Sequence, residues 1–129
     1  MKVVIDTNIF MAGLLKGSTV RAILNFADAD FYLPEEGIIE VRKYADELCS
    51  KAGYTNEEFE ELISELLENI RLISIQDTKP YLSEAEKIME KIDIKDSIFL
   101  AAALAIEAGG IWSFDNHIKE QTRIRVLDT

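Results

Sequence analysis

Short apolar runs alternate with longer helical stretches along the whole chain, and this alternation restricts the fold more than any other feature. Lys2 to Ile5, Phe31 to Leu33, Leu72 to Ile75, "GIW" from Gly110 and Ile124 to Leu127 are brief and mostly apolar. Strands buried on both faces read this way, and an intervening helix supplies the crossover that parallel pairing needs. The pattern predicts an α/β fold, a three-layer α/β/α sandwich around a mostly parallel sheet of four to five strands. With 129 residues, 48 % of them hydrophobic, the chain has the core material of one domain, 1–129.

The helical stretches have recognisable ends. Asn8 to Leu15 stops at Gly17, and Ser18 or Thr19 can cap a second helix to about Ala29. Pro34 suits the first turn of a helix reaching about Lys51. Thr55 with Glu58 makes a capping box, after which Phe59, Leu62, Ile63, Leu66, Leu67 and Ile70 recur at helical spacing. The glutamates between Glu57 and Glu68 fill the other faces of that helix and read as its solvated side. Tyr81 to Lys91 is another helix. A last long one runs from Asp93 to Ala108, with Gly109-Gly110 as its left-handed stop.

A formal charge of −10 excludes strong, nonspecific attraction to nucleic acid or anionic membranes. Arg42-Lys43 and Arg123-x-Arg125 are the close basic pairs, and they form no stripe. A single cysteine, Cys49, cannot close an internal disulfide and suits a reducing cytoplasm. The longest apolar run, Ile98 to Ile106, falls far short of the ~20 residues needed to cross a bilayer. The expectation is a cytoplasmic domain with no membrane partner.

Two strands end in an aspartate: "VVID" at Asp6 and "IWSFD" at Asp115. In open parallel sheets, sites form beyond the carboxyl ends of the strands, where the next helices start. Glu36, Glu40, Asp93 and Asp96 fall near such starts. Carboxylates gathered there would repel one another and raise their own pKa values unless a divalent cation neutralised them. Oxygen ligands suit Mg²⁺ or Mn²⁺. Each acid also has a structural explanation. Asp6 can cap the first helix, Asp93 and Asp96 can serve a helix N-terminus, Asp115-Asn116 can cap a turn, and Glu36 and Glu40 can face solvent. His117, the sole histidine, has no partner at a ligand spacing and reads as a surface residue.

Taken in order, "VVIDTNIF", "LPEEGIIEVRKY", "DIKDSIFLAAALA" and "GIWSFDNHI" resemble the PIN domain, the metal-dependent nuclease fold of VapC-type toxins. The resemblance spans essentially the whole chain. It implies catalytic, metal-binding carboxylates at Asp6, Glu40, Asp96 and Asp115, with Asp93 as a supporting acid. It implies Thr7, Asn8 and Ser113 as polar residues that orient carboxylates, water or phosphate. Glu36, one turn before Glu40, could reach the same place. Phe114 stands where many relatives carry glycine. The activity implied is Mg²⁺- or Mn²⁺-dependent hydrolysis of RNA phosphodiester bonds, in the toxin half of a toxin–antitoxin pair. An antitoxin partner and a homodimer follow from the same likeness, with the helices within Val20–Phe26 and Phe59–Ile70 as candidate contacts. The alternative is a non-catalytic PIN-like module that binds RNA or a protein. Aspartyl-phosphate enzymes fit less well: Asn8 occupies the place where a dehalogenase-type pattern needs a second aspartate.

Overall fold

Every strand but the last hands the chain to a helix or turn that packs back on the sheet. In the computed structural model, which describes residues 1–127, β1 (Lys2–Ile5) leads into α1 (Thr7–Leu14) and α2 (Thr19–Phe26). β2 (Asp30–Pro34) is followed by α3 (Glu35–Lys43), α4 (Ala45–Ala52) and α5 (Asn56–Leu67). β3 (Ile70–Ile73) precedes α6 (Ile75–Met89), a 3-10 turn at Ile94–Asp96 and α7 (Ser97–Ala105). β4 (Gly110–Trp112), a second 3-10 turn at Ile118–Glu120 and β5 (Val126–Leu127) complete it.

The sheet order is β3-β2-β1-β4-β5, and every pairing is parallel. From β1 the chain builds outward through β2 to β3, then crosses over and adds β4 and β5 on the other side. The reversal of direction therefore falls between β1 and β4. There the connecting segments leave in opposite directions and open a crevice above the strand ends.

Burial follows the sequence pattern. Val3, Val4 and Ile5 are at most 2 % exposed, as a strand covered on both faces requires. α7 lies against β1, β2 and β4 and is backed by α6, while α1, α2 and α5 pack on one another. After Ser97, α7 is wholly apolar because it is enclosed: Leu100 to Ala103 have no exposure at all. The capping box at Thr55 and Glu58 is formed. α5 buries Phe59, Leu62, Ile63 and Leu66 and leaves the glutamates from Glu57 to Glu68 in solvent. No described helix is long and apolar enough to cross a membrane.

Several boundaries differ from those expected. α2 ends at Phe26 rather than Ala29. The single helix over Pro34–Lys51 is two, jointed at Tyr44 (φ −103°, ψ 11°), which gives α3 and α4 separate axes to bury Val41 and Cys49. β3 starts two residues before Leu72, because Ile70 pairs opposite Phe31 and Ser74 caps α6. α6 begins well before Tyr81 and contains Pro80. An interior proline costs about 3 kcal/mol; the burial of Thr78, Ala85 and Met89 offsets it. The last helix is shorter than Asp93–Ala108, and its left-handed residue is Glu107 (φ 53°), not Gly109-Gly110. Gly109 instead packs closely against the start of β1. Its N–H donates to the Lys2 carbonyl at 2.8 Å, and a Cβ there would fall 2.6 Å from Met1 Cγ.

Candidate metal centre

Asp6 follows β1 directly and is only 5 % exposed. One of its oxygens caps α1, accepting the Ile9 N–H at 2.9 Å. The other accepts a hydrogen bond from the Ser113 hydroxyl. The structural and functional readings of Asp6 are therefore compatible, with one oxygen for each. Ser113 is brought there by register, since Ile5 pairs with Trp112 and the next residues of both strands lie side by side. The Ser113 oxygen also accepts the Asp115 N–H at 3.0 Å, so a single hydroxyl joins Asp6 to the loop carrying Asp115.

Asp96 enters from a third element. It is the N-cap of α7, yet its side chain makes no capping bond. It lies beside the Asp115 carboxyl, which helps to raise its pKa, and its buried Oδ2 has no partner. Asp93 is half-buried beside it, one oxygen accepting the Lys95 N–H at 3.1 Å. Glu40 arrives from α3 and accepts the Thr7 hydroxyl at 3.0 Å. Of the two glutamates on α3, Glu40 is the one tied to the residue after Asp6. Glu36 has a buried Oε1 without a partner.

The electrostatics follow from this crowding. Burial pushes the Asp6 carboxyl up; the bonds from Ser113 and Ile9 oppose that, while Asp115 and Glu40 add to it. Asp96 is pushed up to about 7, first by burial, then by Asp115, Asp93 and Asp6 and by its hydrogen bond with Asp115. Near neutrality a proton on Asp96 does what a cation would do, relieving repulsion among neighbouring acids. Oxygen-only donors, an orphaned buried oxygen and raised carboxyl pKa values fit a hard divalent ion.

Thus the crevice brings together Asp6, Asp93, Asp96, Asp115 and Ser113, with Glu40 attached through Thr7. Asn8 is elsewhere. It is exposed on α1, on the wall of a mostly apolar groove of about 600 Å³ lined by Met11, Leu15, Tyr44 and Leu48. His117 was not expected here. Its N–H donates to Asp115 Oδ1 at 2.8 Å, and its Nδ1 lies 3.5 Å from Asp115 Oδ1 and 3.8 Å from Asp93 Oδ2. The available signal was its place two residues after Asp115, within reach of a tight turn.

Carboxylates assembled at the switch point of a five-stranded parallel sheet define a class, the α/β proteins with an acidic crevice beyond their strand ends. Within that class the chain belongs to the PIN domain family, whose pattern matches residues 4–123. Solved structures carry the same fold. VapBC2 from Rickettsia felis, bound to a DNA fragment from its promoter, is similar at 13 % identity and a TM-score of 0.74, covering 100 % of this chain and 99 % of that one. A toxin–antitoxin complex from Klebsiella pneumoniae is similar at 17 % identity and 0.64, covering 88 % and 86 %. FitAcB from Neisseria gonorrhoeae is similar at 16 % and 0.65, covering 97 % and 96 %. No curated protein matches the chain by sequence.

Proposed function

We propose that this protein is a divalent-metal-dependent ribonuclease, the toxin half of a toxin–antitoxin pair. The observation that carries the reading is the meeting of Asp6, Asp96 and Asp115 at the β1–β4 crevice. With Glu40 they would hold Mg²⁺ or Mn²⁺, and Asp93 would support them. An ion held there would offset charge on the phosphate oxygens and lower the pKa of a water, so that hydroxide becomes available near neutral pH.

The chain's own contribution is orientation. Ser113 and the Ile9 N–H each fix one oxygen of Asp6, and Thr7 fixes Glu40. Partners of this kind set ligand direction and basicity. Asn8, exposed on the wall of the apolar groove, makes no contact with the carboxylates and takes no part in this orientation. Basic residues add little breadth of binding: Arg42 pairs with Glu60, and Arg123 lies 3.8 Å from Glu84. A net charge of −10 then favours a selective RNA substrate over general avidity.

The antitoxin partner is assigned from likeness to the Klebsiella pneumoniae toxin–antitoxin complex. A homodimer is assigned on the same footing. Of its two candidate contacts, α5 spends its apolar face inside the fold, whereas Phe26 on α2 is 85 % exposed.

The test incubates structured and single-stranded RNA with the protein in Mn²⁺, in EDTA, and beside Asp6→Asn. Cleavage confined to the Mn²⁺ reaction of the parent protein is the expected result. Equal cutting by both proteins, or cutting indifferent to EDTA, overturns the assignment. RNA retained but uncut supports a binding module instead.

A further inference from the structure

We propose that Phe114 is a stacking platform for the RNA base beside the cleaved bond, which makes it a substrate-positioning residue. The inference rests on the nuclease reading above and adds to it how the substrate is held.

Four phenylalanine and tyrosine side chains are exposed among the described residues: Phe26, Tyr44, Tyr81 and Phe114. Isolated exposed aromatics are ordinary on protein surfaces. Phe114 is set apart by its place, because it stands between Ser113, which holds Asp6, and Asp115. Adjacent Cα atoms are ~3.8 Å apart, so an aromatic here borders the carboxylate crevice directly. A phosphate held at those carboxylates would bring its own base, or the next one, against this ring.

The ring is also held ready. Phe114 is 48 % exposed and meets Trp112 nearly at right angles, with 6.4 Å between centroids and 77° between planes. Trp112 in turn packs on Phe31 at 6.0 Å. Both of these residues are buried, so Phe114 leans on a fixed support. A perpendicular contact covers at most one face of the Phe114 ring and leaves the other for a base. A side chain oriented beforehand loses little freedom when the base arrives.

The charge balance gives such a platform its use. Affinity for RNA usually draws on lysine and arginine at the phosphates. Here the net charge is −10. Arg42 pairs with Glu60, Arg21 donates to the carbonyls of Gly13 and Leu15, and Arg123 lies beside Glu84. Stacking needs no charge and accepts any base, because every base has a flat π face. A base inside a duplex has both faces covered by its neighbours, so the base taken is an unpaired one.

The experiment uses the full chain in Mn²⁺ and a single-stranded oligoribonucleotide that it cuts at one mapped bond. Beside it stand analogues lacking the base on one or the other side of that bond. Phe114→Leu keeps an apolar side chain without a ring. In it KM should rise about 5- to 150-fold while kcat changes by less than about twofold. Phe114→Tyr keeps the ring face and should return KM to within about twofold of the parent. Removing the stacked base should raise the parent's KM by the same factor and leave that of Phe114→Leu unchanged. A second readout needs no cutting: RNA carrying iodouridine beside the mapped bond, irradiated with Asp6→Asn protein, should crosslink at Phe114 on peptide mass spectrometry. Equal KM in the parent and Phe114→Leu overturns the platform and leaves metal-dependent cleavage standing. So does a loss that Phe114→Tyr fails to recover, or an abasic penalty as large in Phe114→Leu as in the parent. A fall in kcat together with a lowered melting temperature marks a structural role and also overturns it. A parent that cuts no RNA and leaves Phe114 unlinked overturns both readings.

Discussion

Replacing Asp96 with asparagine should stabilise the metal-free protein at pH 8 and do almost nothing for it at about pH 3.5. The Asp96 carboxyl is pushed up to about 7 in the folded chain by burial and by Asp115, Asp93 and Asp6, whereas an unfolded aspartate titrates near ~3.9. Between those values the folded state keeps a proton that the unfolded state has released. Stability therefore falls as the pH climbs from about 4 to about 7 and is level above that. Some three units at about 1.4 kcal/mol each give a ceiling of roughly 4 kcal/mol. Partial solvent access and the proton shared with Asp115 remove about half, leaving ~2 kcal/mol at pH 8. Asparagine stays neutral throughout, and its amide can donate to Asp115 in the proton's place. In EDTA at pH 8 the variant should melt roughly 6–8 °C above the parent, with a smaller gain near pH 5 and melts that nearly coincide at about pH 3.5. Thermal unfolding followed by circular dichroism at these pH values reads this directly. Equal gains at about pH 3.5 and pH 8, or a loss at pH 8, would refute the charge argument.

Ser113→Ala removes the donor to Asp6 and the acceptor of the Asp115 N–H; urea unfolding should register a loss of about 1–3 kcal/mol. Thr7→Val keeps shape but frees Glu40 from its hydroxyl partner. Calorimetry should find Mg²⁺ affinity reduced ~10-fold, with the fold retained on circular dichroism. Gly37→Ala would gain up to about 1 kcal/mol of helix propensity on an open surface. In α3 its Cβ would stand 2.8 Å from a side-chain carbon of Leu33, itself fully buried. A net loss of about 1–2 kcal/mol is expected from the urea midpoint.

The strands and the acids were legible in the sequence for the same reason: both are written in unambiguous residue types. Val3-Val4-Ile5 can hardly be anything but a buried strand, and Asp6 at its end announces itself. What stayed hidden was decided by tertiary packing. Tyr44 breaks a helix without glycine or proline, because separate axes are needed to bury Val41 and Cys49. Ile70 continued a helical spacing but belongs to β3, where it faces Phe31. The helix expected from Tyr81 starts at Ile75 and takes in Pro80. His117 was unreadable because its partners depend on folding: Asp93 approaches it from before α7, across the crevice. That Glu40 rather than Glu36 joins Thr7 is likewise a matter of where α3 sits, which one turn of helix cannot disclose.

The two margins of the sheet are terse. Among the described residues β5 extends over two positions and β3 over four, and β3 presents an exposed arginine, Arg71, along its rim. The β3 border offers little backbone for another chain to zip onto, and charge discourages the attempt. A partner approaching from the β3 side must therefore grip side chains on helices and loops, so that recognition there is specified by residue identity rather than by strand addition.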